Sequence, residues 1–321
     1  MTRDHGGNID VAMARYGGAP EDWIDLSTGI NRVPYPLPPI PPEAWTALPT
    51  RAAHDRLVAA ARGAYRPGAA ILPVAGAQAA IQMIPWLCPA GRARVLAPTY
   101  NEHAAALLAA GWTVEEVAEP DALAGADLAV VVNPNNPDGR SYSPDRLRAI
   151  ARQVGRLVVD ESFADATPAL SLAPGPPTPG VLVLRSFGKF YGLAGVRLGF
   201  VLGAETEIDI LAAMAGPWPV SGAAIGIGAV ALADGAWAAQ TAARLAADGR
   251  RMDALAAGAG WRLAGGSSLF RLFETPDAAR AQERLARARI WSRIFPYSAT
   301  WLRLGLPGSD AEWTRLAAAL A

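Results

Sequence analysis

The feature that most limits the fold of this chain is an alternation of short apolar runs with helical segments, from about residue 51 to about residue 202. Leu128–Val132 consists of apolar residues alone, which is typical of a strand covered on both faces. Strands that alternate with helices indicate a mostly parallel sheet. The sequence therefore predicts an α/β fold.

The elements predicted in this region are short. The predicted strands are Ala70–Val74, Arg94–Ala97, Thr113–Val117, Leu128–Val132, Leu157–Val159, Val181–Leu184 and Leu198–Leu202. The predicted helices are Arg51–Tyr65, Ala77–Leu87, Glu102–Ala110 and Pro144–Gln153.

The pattern changes after Gly216. Long helices rich in alanine and arginine, predicted within Gly222–Ala257 and at Asp277–Ala288, flank short predicted strands at Ser268–Phe273 and Trp301–Leu304. We predict three parts: residues 1–42 form an irregular, proline-rich arm that packs with the small domain, residues 43–215 form the large domain, and residues 216–321 form a smaller α/β domain.

Charge and cysteine content exclude several classes of function. Acidic and basic residues balance at 29 each, so no net field would attract a polyanion, and we expect neither a nucleic acid nor a membrane as a partner. Cys88 is the single cysteine, which excludes an intramolecular disulfide and a cysteine-based metal cluster. His5, His54 and His103 lie far apart without the spacing of metal ligands, so no metal is expected.

The chain also lacks clear targeting signals. Its first residues, MTRDHGGNID, contain no apolar segment of the kind found in a secretory signal, which predicts a cytoplasmic location. The apolar stretch Ala212–Ala233 contains Pro217 and Pro219 and consists mainly of alanine and glycine. We interpret it as a buried helix after a proline-rich turn and not as a membrane span.

A lysine follows one of the predicted strands, in the motif Ser186-Phe-Gly-Lys189. A lysine that forms a Schiff base must lose its proton, and a sheltered loop with cationic neighbours favours that. Ser186 and Arg197 could bind a phosphate beside it. A surface lysine beside a turn is the alternative, but the chain has very few lysines among its basic residues, which points to amine chemistry that arginine cannot perform.

Polar residues follow other predicted strands. Asp160, at the end of a buried run, could pair with a protonated ring nitrogen, or could simply cap a helix or form an ion pair. Asn136, in Asn-Pro-Asn-Asn-Pro-Asp-Gly, could donate to a ring oxygen, although such residues are also common in turns. Ala77 and Gln78 begin a helix whose N–H groups could hold a phosphate. Tyr100 could stack on a flat ring, or could be a core residue.

Taken in order, these residues resemble those of the fold-type I pyridoxal-phosphate (PLP) enzymes of the aspartate aminotransferase superfamily. The resemblance covers about residues 1–305. It implies PLP as the cofactor, with catalytic roles for Lys189 and Asp160. By resemblance the cofactor-binding residues are Ala77, Gln78, Tyr100, Asn136, Asp160, Ser186, Lys189 and Arg197.

Further segments resemble one branch of the superfamily, the threonine-phosphate decarboxylases of cobalamin biosynthesis. They are the segment that begins His5-Gly-Gly-Asn, the segment Ser27-Thr-Gly-Ile-Asn, and Arg185-Ser-Phe-Gly-Lys-Phe-Tyr. The resemblance implies decarboxylation of O-phospho-L-threonine to (R)-1-aminopropan-2-yl phosphate. By resemblance the substrate-binding residues are His5, Gly6, Gly29, Asn136, Arg293 and Arg303.

Three positions depart from the superfamily pattern. Phe163 stands where a tyrosine usually binds the ring oxygen, as it also does in the decarboxylase branch. Leu48 stands where the neighbouring subunit usually supplies a tyrosine to the cofactor phosphate. Asp138 replaces a common threonine.

Two other functions remain open at this point. One is a histidinol-phosphate-type aminotransferase, and the other is a PLP-binding protein that acts without catalysis. Because the relatives build the site from two chains, the resemblance also implies a homodimer. The sequence does not separate threonine phosphate from serine phosphate, since one methyl group gives only about 1–3 kcal/mol of discrimination.

Overall fold

The computed structural model of the protein describes residues 5–321 and divides into two compact units. Unit 1 comprises the described part of Met1–Pro34, together with Pro137–Arg140 and Gln240–Ala321. Unit 2 comprises Tyr35–Asn136 and Ser141–Ala239. The domains predicted with boundaries after residues 42 and 215 stay a prediction.

The helices and strands are numbered here in chain order. The helices are α1 Ile9–Tyr16, α2 Glu43–Thr46, α3 Arg51–Tyr65, α4 Ala77–Met83, α5 Glu102–Ala109, α6 Pro144–Ala151, α7 Phe187–Phe190, α8 Glu205–Ala215, α9 Gly222–Ala233, α10 Gly235–Gly258, α11 Ala278–Arg287 and α12 Asp310–Leu320. The strands are β1 Ile24–Asp25, β2 Ala70–Val74, β3 Arg92–Leu96, β4 Thr113–Val117, β5 Leu128–Val132, β6 Leu157–Asp160, β7 Val181–Ser186, β8 Gly199–Gly203, β9 Arg262–Ser267, β10 Phe270–Glu274, β11 Ile290–Trp291, β12 Arg293–Phe295 and β13 Ser298–Gly305.

Unit 2 contains a seven-stranded sheet in the order β2-β8-β7-β6-β5-β3-β4. All neighbouring strands are parallel except at β8, which runs antiparallel to both β2 and β7. The predicted α/β class with a mostly parallel sheet is therefore confirmed. Every residue of β5 is buried, as expected for a central strand covered on both faces.

Alternate residues of the strands supply two apolar cores, one on each face of this sheet. Val158, Leu182 and Leu184 belong to one core, whereas Leu157 and Val159 belong to the other. Burying one such side chain contributes about 1.5–3 kcal/mol relative to leaving it exposed. The same alternation decides which side chains at the strand ends share a face.

Local signals set the limits of several helices in unit 2. The hydroxyls of Thr50 and Ser143 accept hydrogen bonds from the first turns of α3 and α6. The helix predicted as Ala77–Leu87 ends earlier, at Met83, and continues as a 3₁₀ turn over Ile84–Trp86. Pro85 lacks an N–H group and therefore disfavours continuation of the α-helical hydrogen bonds.

Unit 1 contains an antiparallel sheet in the order β12-β13-β10-β9 and a parallel pair formed by β1 and β11. The strand predicted at Ser268–Phe273 begins two residues later, as β10, because residues 268–269 form the turn between β9 and β10. The prediction of an irregular arm is wrong in part, because Ile9–Tyr16 is helical. Its Ala12 packs with Trp23 and Ala286 in a small apolar cluster of unit 1.

No single helix among residues 5–321 is long and apolar enough to cross a membrane. The bent pair of Gly222–Ala233 and Gly235–Gly258, with 76° between the helices, satisfies the length and composition criteria only when the two are taken together.

Candidate active site

One cavity in unit 2 brings together all eight residues predicted to bind the cofactor. It lies at the carboxyl ends of β5, β6 and β7, beside the start of α4. Its empty space is about 710 Å³ including the open mouth, which suits a small molecule. The eight predicted residues in its lining are Ala77, Gln78, Tyr100, Asn136, Asp160, Ser186, Lys189 and Arg197.

Lys189 is the only lysine among the 29 basic residues of the chain, and it lies in this cavity. Its side chain is half-buried in α7, and its Nζ lies 5.7 Å from the centre of the Phe163 ring. Gly188 allows the following loop to fold back closely, because a Cβ there would lie 2.8 Å from Ala194 Cα. The loop therefore holds one primary amine in a partly sheltered position.

Asp160 is buried at the end of β6, and three hydrogen bonds reach its carboxylate. His103 Nε2 lies 2.8 Å from Oδ2, while the N–H and hydroxyl of Ser162 donate to Oδ1 at 3.0 and 2.5 Å. Burial alone would raise the pKa of Asp160, but the bonds from His103 and Ser162 lower it more, so its pKa lies below the usual value. Asp160 is therefore ionised at neutral pH.

The aromatic residue predicted to stack on the cofactor is oriented by its neighbours. The Tyr100 hydroxyl lies 3.3 Å from Gln78 Oε1, and Gln78 Nε2 donates to buried Glu102 at 3.0 Å. Because the side chain of Gln78 makes these contacts, its backbone N–H is the group that can donate to an anion.

The asparagines of the Asn-Pro segment divide between structure and site. Asn133 is fully buried, and its side chain bonds the backbone of Tyr142 and Leu170, as the turn interpretation expects. Asn136 lines the cavity. Asn135 is buried and its side chain is also hydrogen-bonded, so the motif contains two structural asparagines and one site asparagine.

One end of the cavity is suited to an anion. Gly76 adopts a φ of +75°, and a Cβ there would lie 2.8 Å from Arg197 Nη2. The glycine thus allows the guanidinium to approach the first N–H groups of α4, which have no acceptor within the helix. Ser186 adds a hydroxyl to the same cavity. Together these groups could hold a phosphate.

These residues fit PLP. The cationic end beside Gly76 would hold the phosphate, ionised Asp160 would face the protonated ring nitrogen, and Lys189 would provide the amine for covalent attachment. Asn136 and Tyr100 would contact the ring. Among residues 5–321, no group of three or more His, Cys, Asp or Glu side chains could hold a metal ion.

The predicted substrate-binding residues other than Asn136 lie in unit 1 and converge within it. A Cβ on Gly6 would come 2.4 Å from Ser27 O, the same oxygen that accepts a 2.6 Å hydrogen bond from Arg303 Nη2. Gly29 is buried two residues further along. Arg293 stands directly opposite Arg303 in the β12–β13 pairing. His5 is exposed and precedes Gly6.

Sequence reasoning missed two groups of residues at this site. His103 lacks the spacing of a metal ligand and the sequence predicts no other role for it, although it follows Tyr100 by three residues at the start of α5. Glu161 and Arg185 flank Asp160 and Ser186 in sequence, and they form a buried ion pair on the other face of the sheet. The sequence signal for Glu161 and Arg185 is that each is a charged residue next to a predicted site residue at the end of a buried strand.

Comparisons with known proteins agree with this geometry. The family model for aminotransferase class I and II matches residues 46–320. A relative from Sinorhizobium sp named threonine-phosphate decarboxylase is 49% identical over 327 aligned residues, which cover 99% of this chain and 97% of the relative. A relative of the same name from Pseudomonas aeruginosa is 46% identical, with 99% and 97% covered.

Solved structures also resemble this chain in fold. Histidinol-phosphate aminotransferase from Sinorhizobium meliloti, solved with pyridoxal-5'-phosphate, superposes with a TM-score of 0.79 at 20% identity and covers 98% of this chain and 93% of its own. That likeness supports the fold, and the sequence matches give the family. The chain belongs to the aminotransferase class I and II family.

Proposed function

We propose that this chain is a PLP-dependent lyase that decarboxylates O-phospho-L-threonine to (R)-1-aminopropan-2-yl phosphate, a step in cobalamin biosynthesis. The observation that carries the proposal is the match over 99% of the chain to two threonine-phosphate decarboxylases, at 49% and 46% identity. The cavity with the sole lysine and an ionised carboxylate supplies the chemistry that such an enzyme needs.

The residues of the cavity have different roles in the proposed reaction. When bound, PLP supplies an aldehyde that condenses with amines and a protonated ring that accepts the electron pair of a breaking bond at Cα. Lys189 would provide the amine that attaches the cofactor, and once it is free it could return a proton to the substrate Cα. Arg197, Ser186 and the start of α4 fix the phosphate end.

Asp160 would keep a proton on the ring nitrogen of bound PLP. A carboxylate offers about four acceptor positions, and His103 and Ser162 use three of them. The remaining position is on Oδ2, and it could accept a hydrogen bond from the nitrogen. Because the pKa of Asp160 is lowered, the carboxylate would leave the proton on the ring.

Two arginines of unit 1 support an anionic substrate. Arg293 and Arg303 are cross-strand partners, so their side chains lie close enough to bind one anion together. We assign the substrate phosphate to this pair, which leaves the carboxylate free of a strong ion pair and able to leave as carbon dioxide.

The test is a reaction of purified protein with PLP and O-phospho-L-threonine, followed by mass spectrometry for aminopropanol phosphate, with Lys189→Ala as the control. The proposal expects this product from the wild-type protein alone. Glutamate formed from 2-oxoglutarate and histidinol phosphate, without the decarboxylated product, would assign the chain to the aminotransferases instead. Binding of PLP with neither reaction would favour a protein that acts without catalysis.

We also propose that the enzyme is a cytoplasmic homodimer. Trp45, Leu48 and Trp218 of unit 2 are more than half exposed and offer large apolar side chains that a second copy could cover. A second copy of the chain is the occupant that the family resemblance implies. Light scattering should give about twice the monomer mass, and Trp45→Glu should lower it.

A further inference from the structure

Three buried charged residues lie at the carboxyl ends of β6 and β7. Arg185 Nη1 donates to Glu161 Oε2 at 2.9 Å, and Arg185 Nη2 donates to Asp165 Oδ1 at 2.8 Å. The side chains are 0–7% exposed. We name Glu161, Asp165 and Arg185 the strand-end clamp.

The strand-end clamp is next to the cavity in sequence and on the opposite face of the sheet. Asp160 and Glu161 are consecutive, as are Arg185 and Ser186, and successive residues of a strand point to opposite faces. Asp160 and Ser186 line the cavity, so the clamp lies behind them. The backbone of Glu161 also pairs with β7, through a 2.9 Å bond from its N–H to Leu184 O.

Further contacts fix Glu161 and Arg185. Glu161 accepts hydrogen bonds from the Ser171 hydroxyl at 2.5 Å and from Leu172 N at 2.6 Å. The Arg185 guanidinium lies 4.5 Å from the centre of the Tyr65 ring, at the end of α3. The guanidinium bonds two different carboxylates and therefore joins the end of β6, β7 and the segment after β6 in one geometry.

Burial and the ion pairs shift the pKa values of these groups in opposite directions. Burial lowers the pKa of Arg185, but Asp165 and Glu161 raise it more, so its pKa lies above the ordinary value. Burial raises the pKa of Glu161 and of Asp165 above the ordinary values, and Arg185 opposes that shift only in part. The hydrogen bonds of 2.9 and 2.8 Å from the guanidinium fix the positions of both carboxyl groups.

Stability alone does not account for three buried charges. Burying ions costs free energy, and charge-free side chains of similar volume are often as stable or more so. We infer that Glu161, Asp165 and Arg185 are positioning residues, which hold β6 and β7 in register so that Asp160 and Lys189 face the cofactor at a fixed separation. This inference rests on the proposed function.

The experiment compares the wild-type protein with the charge-free triple variant Glu161→Gln, Asp165→Asn, Arg185→Met. The variant should unfold within a few degrees of the wild type, because no buried charge is left unpaired. Its equilibrium dissociation constant for PLP should rise at least about tenfold, and kcat should fall while KM for O-phospho-L-threonine stays within about twofold. In the cofactor-free protein, amide exchange at Ser162 and Phe187 should be at least about tenfold faster.

Two further variants complete the design. Arg185→Lys keeps the charge but loses the planar fork, so it should show the same changes, and it decides the question if the triple variant does not fold. Arg146→Met with Asp121→Asn removes an exposed ion pair of unit 2 and should leave every measurement unchanged.

The outcomes separate this inference from the proposed function. A folded triple variant, or failing that a folded Arg185→Lys protein, with wild-type PLP affinity and exchange rates would overturn the positioning role. Failure of the wild type to bind PLP or to decarboxylate would instead overturn the proposed function, and the exchange rates of the cofactor-free proteins would still test the clamp.

Discussion

The ring of His103 and the carboxylate of Asp160 form a buried pair, with Nε2 and Oδ2 2.8 Å apart. The two residues are 57 positions apart in sequence and come from α5 and the end of β6. The contact leaves one acceptor position on Oδ2 directed to other partners. Because this contact lowers the pKa of Asp160, it makes the stability of the fold depend on the protonation of Asp160.

Replacing His103 should therefore change stability in a pH-dependent way. In the wild type the lowered pKa of Asp160 contributes stability above its ordinary value of 3.8, and this is lost as the pH falls through the lower folded value. In His103→Ala burial is less opposed and the pKa rises, so the free energy of unfolding at pH 7 should fall by about 1–3 kcal/mol. The deficit should shrink toward pH 4, where Asp160 becomes protonated.

Urea unfolding of the cofactor-free protein between pH 4 and pH 8 measures this. His54→Ala is the control, because His54 is partly exposed and lies 3.9 Å from exposed Asp55. A deficit that is the same at every pH would contradict the explanation.

Gly199 is a second point where the site depends on close packing. A Cβ there would lie 2.4 Å from Ala77 N and 2.7 Å from Gly76 C, which are backbone atoms that cannot turn aside. Gly199→Ala should displace the start of α4, destabilise the protein by about 1–3 kcal/mol and weaken PLP binding. Gly195→Ala is the matched control, since nothing lies within 4 Å of its added methyl group. Thermal unfolding and PLP titration of both variants provide the check.

Lys189→Arg tests the need for a primary amine without removing the charge. Arginine stays protonated and cannot attach the cofactor covalently, so borohydride treatment should leave no PLP on the protein. The rate of decarboxylation should fall by about 10²–10⁴-fold or more, because the proton donor to Cα is lost as well. Intact-protein mass spectrometry after reduction detects the attached cofactor. A wild-type amount of attached PLP would show that another amine forms the bond.

Arg293→Ala should raise KM for O-phospho-L-threonine about tenfold or more, since a charge-assisted hydrogen bond contributes about 1.5–3 kcal/mol. Arg303→Ala should do the same and should also destabilise unit 1, because Arg303 is buried and bonds Ser27 O. Arg262→Ala, on an exposed side chain, is the control for both. Steady-state kinetics and thermal unfolding separate the two effects. An unchanged KM in Arg293→Ala would show that the substrate phosphate does not bind to the pair of Arg293 and Arg303.

The sequence predicted the sheet of unit 2 well because most of its strands, such as β5 and β6, are largely apolar runs. Leu128–Val132 and Ala70–Val74 have the predicted limits. Unit 1 was harder, because β1 and β11 are only two residues long and exist by pairing with each other across more than 260 positions. β9 contains two glycines and few apolar residues, so its propensity gave no strand signal.

The residues of the site can be divided in the same way, into those that the sequence indicates and those that it does not. Lys189, Asp160 and Asn136 could be found because each follows an apolar run at a strand end. His103 could not be found in this way, since its role depends on the order in which the strands associate and not on its own neighbours. Gly76 and Gly199 matter because an added Cβ would meet the Arg197 side chain at the first and backbone atoms at the second, which composition does not record.

The presence of a single lysine, half-buried in the cavity, has a practical consequence for work on this enzyme. Surface lysines of other proteins react with excess PLP and obscure stoichiometry, whereas here the remaining cationic side chains of the full sequence are guanidinium groups or histidines. Reagents that modify ε-amines should therefore report occupancy of the active site directly, and a bound substrate or inhibitor should be readable as protection of one residue.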